Sequence, residues 1–131
     1  MKEFRKIYQF MAFSANTPLQ VAYAQYIKES DDHLQLSAFY QEKRDYFQKW
    51  IKSSNFKILP CQGSYFQLLG YDKITQEKDT DYALRLTREK KLASIPVSVF
   101  YQKNRDNHVL RFCFAKSNET LEKAAEIINS I

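Results

Sequence analysis

The sequence predicts an α+β domain, with helices packed on a small, mostly antiparallel sheet in the order α-α-α-β-β-α-β-β-α. Three features lead there. The first fifty residues repeat apolar side chains at three- and four-residue intervals, the mark of one-sided helices. Near the end, Leu92–Tyr101 and Val109–Ala115 are rich in β-branched and aromatic residues, and the polar Gln102–His108 connection turns the chain back between them. Two further strand-like runs, Phe56–Cys61 and Ser64–Tyr71, meet at Gly63.

Taken in order, Phe4, Ile7, Tyr8 and Met11 keep helical spacing. Thr17-Pro18 opens a second helix, with Thr17 as cap and Pro18 at its first position, where a missing N–H costs nothing. Val21, Ala22, Tyr26 and Ile27 are its expected inward face, up to the polar break at Ser30-Asp31-Asp32. Leu34–Ile51 draws one long amphipathic helix whose inward positions are Leu36, Phe39, Tyr40, Phe47, Trp50 and Ile51. The first strand pair follows. Asp79-Thr80 then caps a helix running to Lys90, with Tyr82, Ala83 and Leu86 as its core face. After the second strand pair, Asn118 and Glu119 open a last helix to Ile131, the acid suiting the positive end of the helix dipole.

Composition narrows the function classes. At 131 residues there is room for one domain with a sizeable core, and a 44% hydrophobic, 15% aromatic chain is globular rather than disordered. No apolar run reaches membrane-spanning length, and no charged-then-apolar leader opens the chain. Cys61 and Cys113 lie in apolar runs without a CxxC, as expected of buried, reduced thiols in a cytoplasmic protein. Two glycines, Gly63 and Gly70, cannot build a Walker or dinucleotide loop. The net charge of +5 is spread over helix faces rather than gathered in a patch. Arg111-Phe112-Cys113-Phe114 lacks the glycine of an RNA-recognition strand, so no nucleic-acid partner is expected. His33 and His108 stand apart without metal-ligand spacing.

Arg111 is the anomaly. It stands alone in the apolar run Val109-Leu110-Arg111-Phe112-Cys113-Phe114-Ala115, with no acidic residue beside it. A guanidinium cannot be neutralised by losing its proton, so taking it out of water demands a partner. Two readings follow. Arg111 is a strand arginine that reaches the surface or pairs structurally, or it is held for an anionic ligand.

Four ordered segments favour the ligand. Leu92-Ala93-Ser94-Ile95-Pro96-Val97-Ser98-Val99-Phe100-Tyr101, followed by Arg111-Phe112-Cys113-Phe114-Ala115-Lys116 and Glu119-Thr120-Leu121, resembles the C-terminal end of class I/II aminotransferases of fold type I. Within these, the wording is nearest the methionine and kynurenine (glutamine transaminase K) aminotransferases. Pro60-Cys61-Gln62-Gly63-Ser64-Tyr65-Phe66 is similar to their Pro-x-x-Gly-[Ser/Thr]-Tyr-Phe segment. Tyr8-Gln9-Phe10 through Phe13-Ser14-Ala15-Asn16-Thr17-Pro18-Leu19-Gln20 resembles the stretch that leaves their large domain.

The resemblance implies a single domain over 1–131. Residues 1–30 would be an interdomain helical segment and 31–131 the C-terminal small domain, with the N-terminal pyridoxal-phosphate-binding large domain absent. It implies a cytoplasmic, homodimeric enzyme using pyridoxal 5'-phosphate to move an amino group between an amino acid and a 2-oxo acid. By the same resemblance Arg111 grips the substrate carboxylate with its two-pronged fork. Gly63 and Tyr65 pass near the substrate end of its strand, and Phe13 reaches the pocket of the partner subunit. The cofactor-bearing lysine of the family sits in Ser-x-x-Lys followed by Thr-Gly. Ser54-Asn55-Phe56-Lys57 matches the first part and lacks the second, so this chain is expected to hold no cofactor and to be inactive alone. Two other readings remain: a non-catalytic binding or dimerisation module derived from the same fold, and an unrelated basic α+β binding domain.

Overall fold

The computed structural model describes residues 1–131 apart from Phe13 and Asn104, and divides the chain into two compact units, Met1–Leu36 and Ser37–Ile131. In the first, α1 (Lys2–Met11) and α2 (Thr17–Glu29) form where helical spacing predicts them, and neither contains a buried residue. The cap of α2 lies one residue earlier than expected. The Asn16 side chain accepts from the Leu19 backbone N–H (3.2 Å), leaving Thr17 as the first helical residue and Pro18 in the first turn. Val21, Tyr26 and Ile27, expected to face inward, are exposed, because nothing within this unit covers them.

The second unit holds the core. Helix α3 (Asp32–Ile51) begins in the first unit and buries Phe47 and Ile51 in the second. Leu36, Phe39 and Trp50, read from spacing as inward, are exposed, and Tyr40 is half-buried. A 20-residue helix carries more apolar surface than the few residues opposite it can cover. Strands β1 (Lys57–Ile58), β2 (Phe66–Gly70), β3 (Ile95–Pro96) and β4 (Val109–Cys113) make one sheet in the order β1-β2-β4-β3, antiparallel throughout. Helix α4 (Asp79–Lys90) buries Tyr82, Ala83 and Leu86, as its periodicity predicts, and α5 (Asn118–Asn129) buries Leu121, Ala125 and Ile128. Ser117, not Asn118, caps α5 through its hydroxyl.

Register decides the sheet faces. Phe66 pairs with Cys113, Leu68 with Arg111 and Gly70 with Val109, while Gln67 pairs with Phe112 and Leu69 with Leu110. The second set is buried, and side chains alternate across a strand, so Gln67, Leu69, Leu110 and Phe112 form the core face. Phe56 packs edge-on against Phe112 and stacks with Tyr82, while Tyr71 leans on Tyr82 at 4.6 Å. The buried Gln67 amide is fully engaged. Its oxygen accepts from Gln48 (2.8 Å), and its nitrogen donates to the Leu59 and Leu68 carbonyls (2.7 and 2.9 Å). Burial, with Asp106 and Asp79 nearby, holds the Tyr71 hydroxyl well above its ordinary range, so it stays protonated and donates to the Glu77 carbonyl (3.0 Å).

The largest departure from the predicted elements lies at 92–101. One strand was expected there; only Ile95–Pro96 pair with β4, and Ser98–Phe100 wind into a 3-10 turn. Two causes combine. Pro96 has no N–H to give the ladder. Beyond it, the buried Asp79 carboxylate accepts both the Ser98 N–H (2.7 Å) and the Ser98 hydroxyl (2.6 Å), drawing the chain off the strand path. Asp79, placed in advance as part of a cap, is instead the first residue of α4. Its own N–H is capped from outside by Asp106 (2.8 Å), which also accepts from the His108 N–H (2.7 Å). Cys61 and Cys113 are free and half-buried rather than buried, and Cys61 lies outside the strands.

Among the described residues no helix is long and apolar enough to cross a membrane. Exposed apolar faces instead mark α1 and α2: Phe4, Phe10 and Met11 are 64%, 83% and 79% exposed, with Leu19, Val21 and Tyr23 similarly open. Contiguous apolar surface drives association. The isolated chain is expected to self-associate, with sedimentation coefficients that rise with concentration. A concentration-independent monomer would contradict the reading that these faces are built to be covered.

Candidate functional site

Arg111 is the middle residue of β4, with β2 on one side and β3 on the other, pairing with Leu68 and Ile95. Alternation turns its side chain away from the helices, onto the face shared with Phe66, Leu68, Val109 and Cys113. Its guanidinium carbon lies 4.1 Å from the centre of the Phe66 ring and 5.0 Å from that of Phe100. Both distances fall within the range of cation–π attraction, which contributes on the order of 0.5–2 kcal/mol as solvent is excluded. Among the described residues no carboxylate lies within salt-bridge distance, and the Arg111 Nε is buried with no hydrogen-bond partner. The charge is shielded by two rings and neutralised by none of its described neighbours.

The approach to β2 fixes the first ring. Gly63 has φ +70°, a left-handed turn that side chains resist, and it starts the return of the chain. Ser64 then accepts from the Phe66 N–H (3.1 Å), and the Cys61 thiol donates to the Phe66 carbonyl (3.0 Å). Burial pushes the Cys61 thiol pKa up, keeping it in the donating form. The Tyr65 ring rests 4.2 Å from that of Phe66, and the Tyr65 carbonyl accepts from the Phe114 N–H (3.0 Å) just past β4. Gly63 and Tyr65 therefore belong to the turn that seats Phe66, and the ring beside Arg111 is Phe66. Phe13 lies outside the described residues. Sequence reading missed both Phe100 and Phe66 as neighbours of Arg111. Their contact depends on strand register and on the Ser98–Phe100 turn, which no local pattern displays.

A cavity of about 500 Å³ opens beside this site, between β4, α5 and the 91–95 connection. Phe47, Leu92, Phe112, Leu121 and Ala124 line it from the helix side of the sheet, and Phe66, Arg111 and Cys113 also border it. Ser94 also borders it, with a buried hydroxyl oxygen that has no hydrogen-bond partner.

The sequence profile of the family "Aminotransferase class I and II" matches residues 1–128. The chain belongs to the class I and II aminotransferases. It is 38% identical to methionine aminotransferase of Escherichia coli (strain K12) over 98% of its own length and 34% of that protein's. To kynurenine–oxoglutarate transaminase 1 of Mus musculus it is 31% identical over 93% of its length and 34% of the relative's. The crystal structure of Escherichia coli YbdL, described as identifying a methionine aminotransferase function, superposes with a TM-score of 0.87 at 38% identity, over 99% of this chain and 34% of that one. The chain thus spans about a third of the length of the aminotransferases it matches.

Enzymes of this class depend on pyridoxal phosphate, and the described residues do not fit that group. A lysine that bonds the cofactor must shed its proton, which needs burial or a cationic neighbour. The three lysines around the cavity, Lys91, Lys116 and Lys123, are all exposed. Lys57, of the incomplete Ser-x-x-Lys match, sits exposed on the edge strand β1, with β2 between it and β4. Incubating this chain with pyridoxal phosphate and trapping with borohydride should therefore label several lysines substoichiometrically. Stoichiometric labelling of one lysine would show a cofactor site in this chain.

Proposed function

We propose that this chain carries the substrate-carboxylate-binding part of a pyridoxal-phosphate-dependent aminotransferase. The enzyme transfers an amino group between a methionine-like, aromatic or glutamine-like amino acid and a 2-oxo acid. Residues 1–30 act as an interdomain helical segment and 31–131 as the C-terminal small domain. The cofactor is held by the part of the relatives that this chain does not span. The observation that supports this most is the Arg111 guanidinium, screened by Phe66 and Phe100 and left without a carboxylate among the described residues.

The chemistry asks for such a group. Amino-group transfer requires one bond at the α-carbon to be held in a set direction, and gripping the α-carboxylate at two points sets it. A planar guanidinium makes two parallel hydrogen bonds to a carboxylate, where an ammonium makes a point contact. Mounting it on the middle of a strand hydrogen-bonded on both sides fixes its base, and low local polarity strengthens the ion pair it forms. Phe13 and Tyr65 complete the pocket in this reading, Phe13 from the partner subunit of a cytoplasmic homodimer. The exposed apolar faces of α1 and α2 support association with further protein.

In the holoenzyme, Arg111→Lys keeps the charge and removes the fork. Losing one charge-assisted hydrogen bond should lower kcat/KM for amino acids by about ten- to a hundredfold, the equivalent of roughly 1.5–3 kcal/mol. Arg111→Ala should lower it further, and amines without a carboxylate should respond little to either change. If Arg111→Ala reduced thermal stability and left kcat/KM for amino acids unchanged, Arg111 would be a structural strand arginine.

A further inference from the structure

Asp79 is a buried carboxylate with no part in the chemistry above. It is 1% exposed, and among the described residues no lysine, arginine or histidine pairs with it. Burying a carboxylate without a cation is costly unless strong hydrogen bonds replace its water. Here they come from one place: the Ser98 N–H at 2.7 Å and the Ser98 hydroxyl at 2.6 Å, lengths typical of charge-assisted bonds. The position of Asp79 in the first turn of α4 adds the favourable end of the helix dipole, and Asp106 holds that end by accepting the Asp79 N–H.

What these bonds fix is the 3-10 turn that begins at Ser98. The turn is closed by the Phe100 N–H to the Val97 carbonyl (3.2 Å) and the Tyr101 N–H to the Ser98 carbonyl (3.0 Å). It carries Phe100, a residue 62% exposed whose ring nevertheless lies 5.0 Å from the Arg111 guanidinium. An exposed phenylalanine on a short irregular turn has little packing to hold it. The anchor of that turn is nineteen residues away in sequence, at the start of α4. Phe66 approaches Arg111 from β2 and Phe100 from beyond β3, the two strands that flank β4.

We infer that Asp79, Ser98 and Phe100 are positioning residues: Asp79 and Ser98 lock the turn that sets Phe100 against Arg111, so that the guanidinium is held with Phe66 and Phe100 before a carboxylate arrives. This rests on the reading of Arg111 as the carboxylate grip and extends it to residues that never touch substrate. A long side chain free to change rotamer loses that freedom on binding; one already held loses less, which appears as tighter binding with little change in the chemical step.

The test is steady-state kinetics of the holoenzyme with methionine and with 3-(methylthio)propylamine, the same side chain without a carboxylate. Phe100→Leu and Ser98→Ala should each raise KM for methionine about two- to tenfold, the effect of freeing one rotamer-rich side chain. In both, kcat should change little and kinetics with the amine should not move. Phe100→Tyr, which keeps the ring, should restore the native KM. Neither Phe100→Leu nor Ser98→Ala should add to Arg111→Lys. Should Ser98→Ala fold poorly, Phe100→Leu carries the test, because its side chain is mostly exposed. If Arg111→Lys weakens methionine use and a folded Phe100→Leu does not, the positioning role is wrong while the reading of Arg111 stands. If Phe100→Leu raises KM and a folded Ser98→Ala does not, the Asp79–Ser98 anchor is wrong. If Arg111→Lys treats methionine and the amine alike, both readings fall.

Discussion

The five-residue antiparallel pairing of β2 with β4 is the constraint on which everything else depends. It aligns Gln67 with Phe112 and Leu69 with Leu110, and those four residues become the floor on which helices α3, α4 and α5 close the core. The same register sends Phe66, Leu68 and Arg111 to the opposite face. A slip of one residue would exchange the faces, burying a guanidinium among Phe47, Leu86 and Ile128 and exposing Phe112. Core packing and the placement of the charged site are thus one decision.

The charged site is an investment in function more than in stability. Two aromatic neighbours attract a guanidinium by on the order of 1 kcal/mol each, less than the several kcal/mol a desolvated charge loses without a counter-ion. Leaving Arg111 half-buried keeps that loss moderate, and its neighbours supply order in place of neutralisation. A second uncompensated charge, Asp79, is treated differently. It is fully buried, and its oxygens are taken up by Ser98. One charge stays unpartnered and reachable while the other is satisfied inside the fold, the division expected when the first is held for a ligand and the second for architecture.

Much of this was legible in the sequence. Tyr82, Ala83 and Leu86 show the inner face of α4 because about 3.6 residues per turn bring them to one side, and the β-branched and aromatic residues around Arg111 mark a strand. The four motifs reached the family that the wider comparison then showed. The rest depends on contacts between distant residues. The Leu92–Tyr101 run has the composition of a strand, but Pro96 breaks its ladder and Asp79 recruits Ser98 from nineteen positions away. Asn16, Asp106 and Ser117 cap helices whose starts composition placed one residue off or credited to neighbours. The apolar spacing of α2 and of the outer face of α3 was real, but spacing shows that a face is apolar and not that this chain covers it. The rings beside Arg111 were invisible for the same reason, since Phe66 meets it through register and Phe100 through a turn.

The most direct measurement is a crystal structure of the holoenzyme with an amino acid or 2-oxo acid bound. The predicted result is a substrate α-carboxylate at hydrogen-bond distance from two nitrogens of Arg111, roughly 2.7–2.9 Å from each, with the Phe66 and Phe100 rings still against the guanidinium. A carboxylate bound elsewhere, with Arg111 paired to an aspartate or glutamate of the protein, would contradict it.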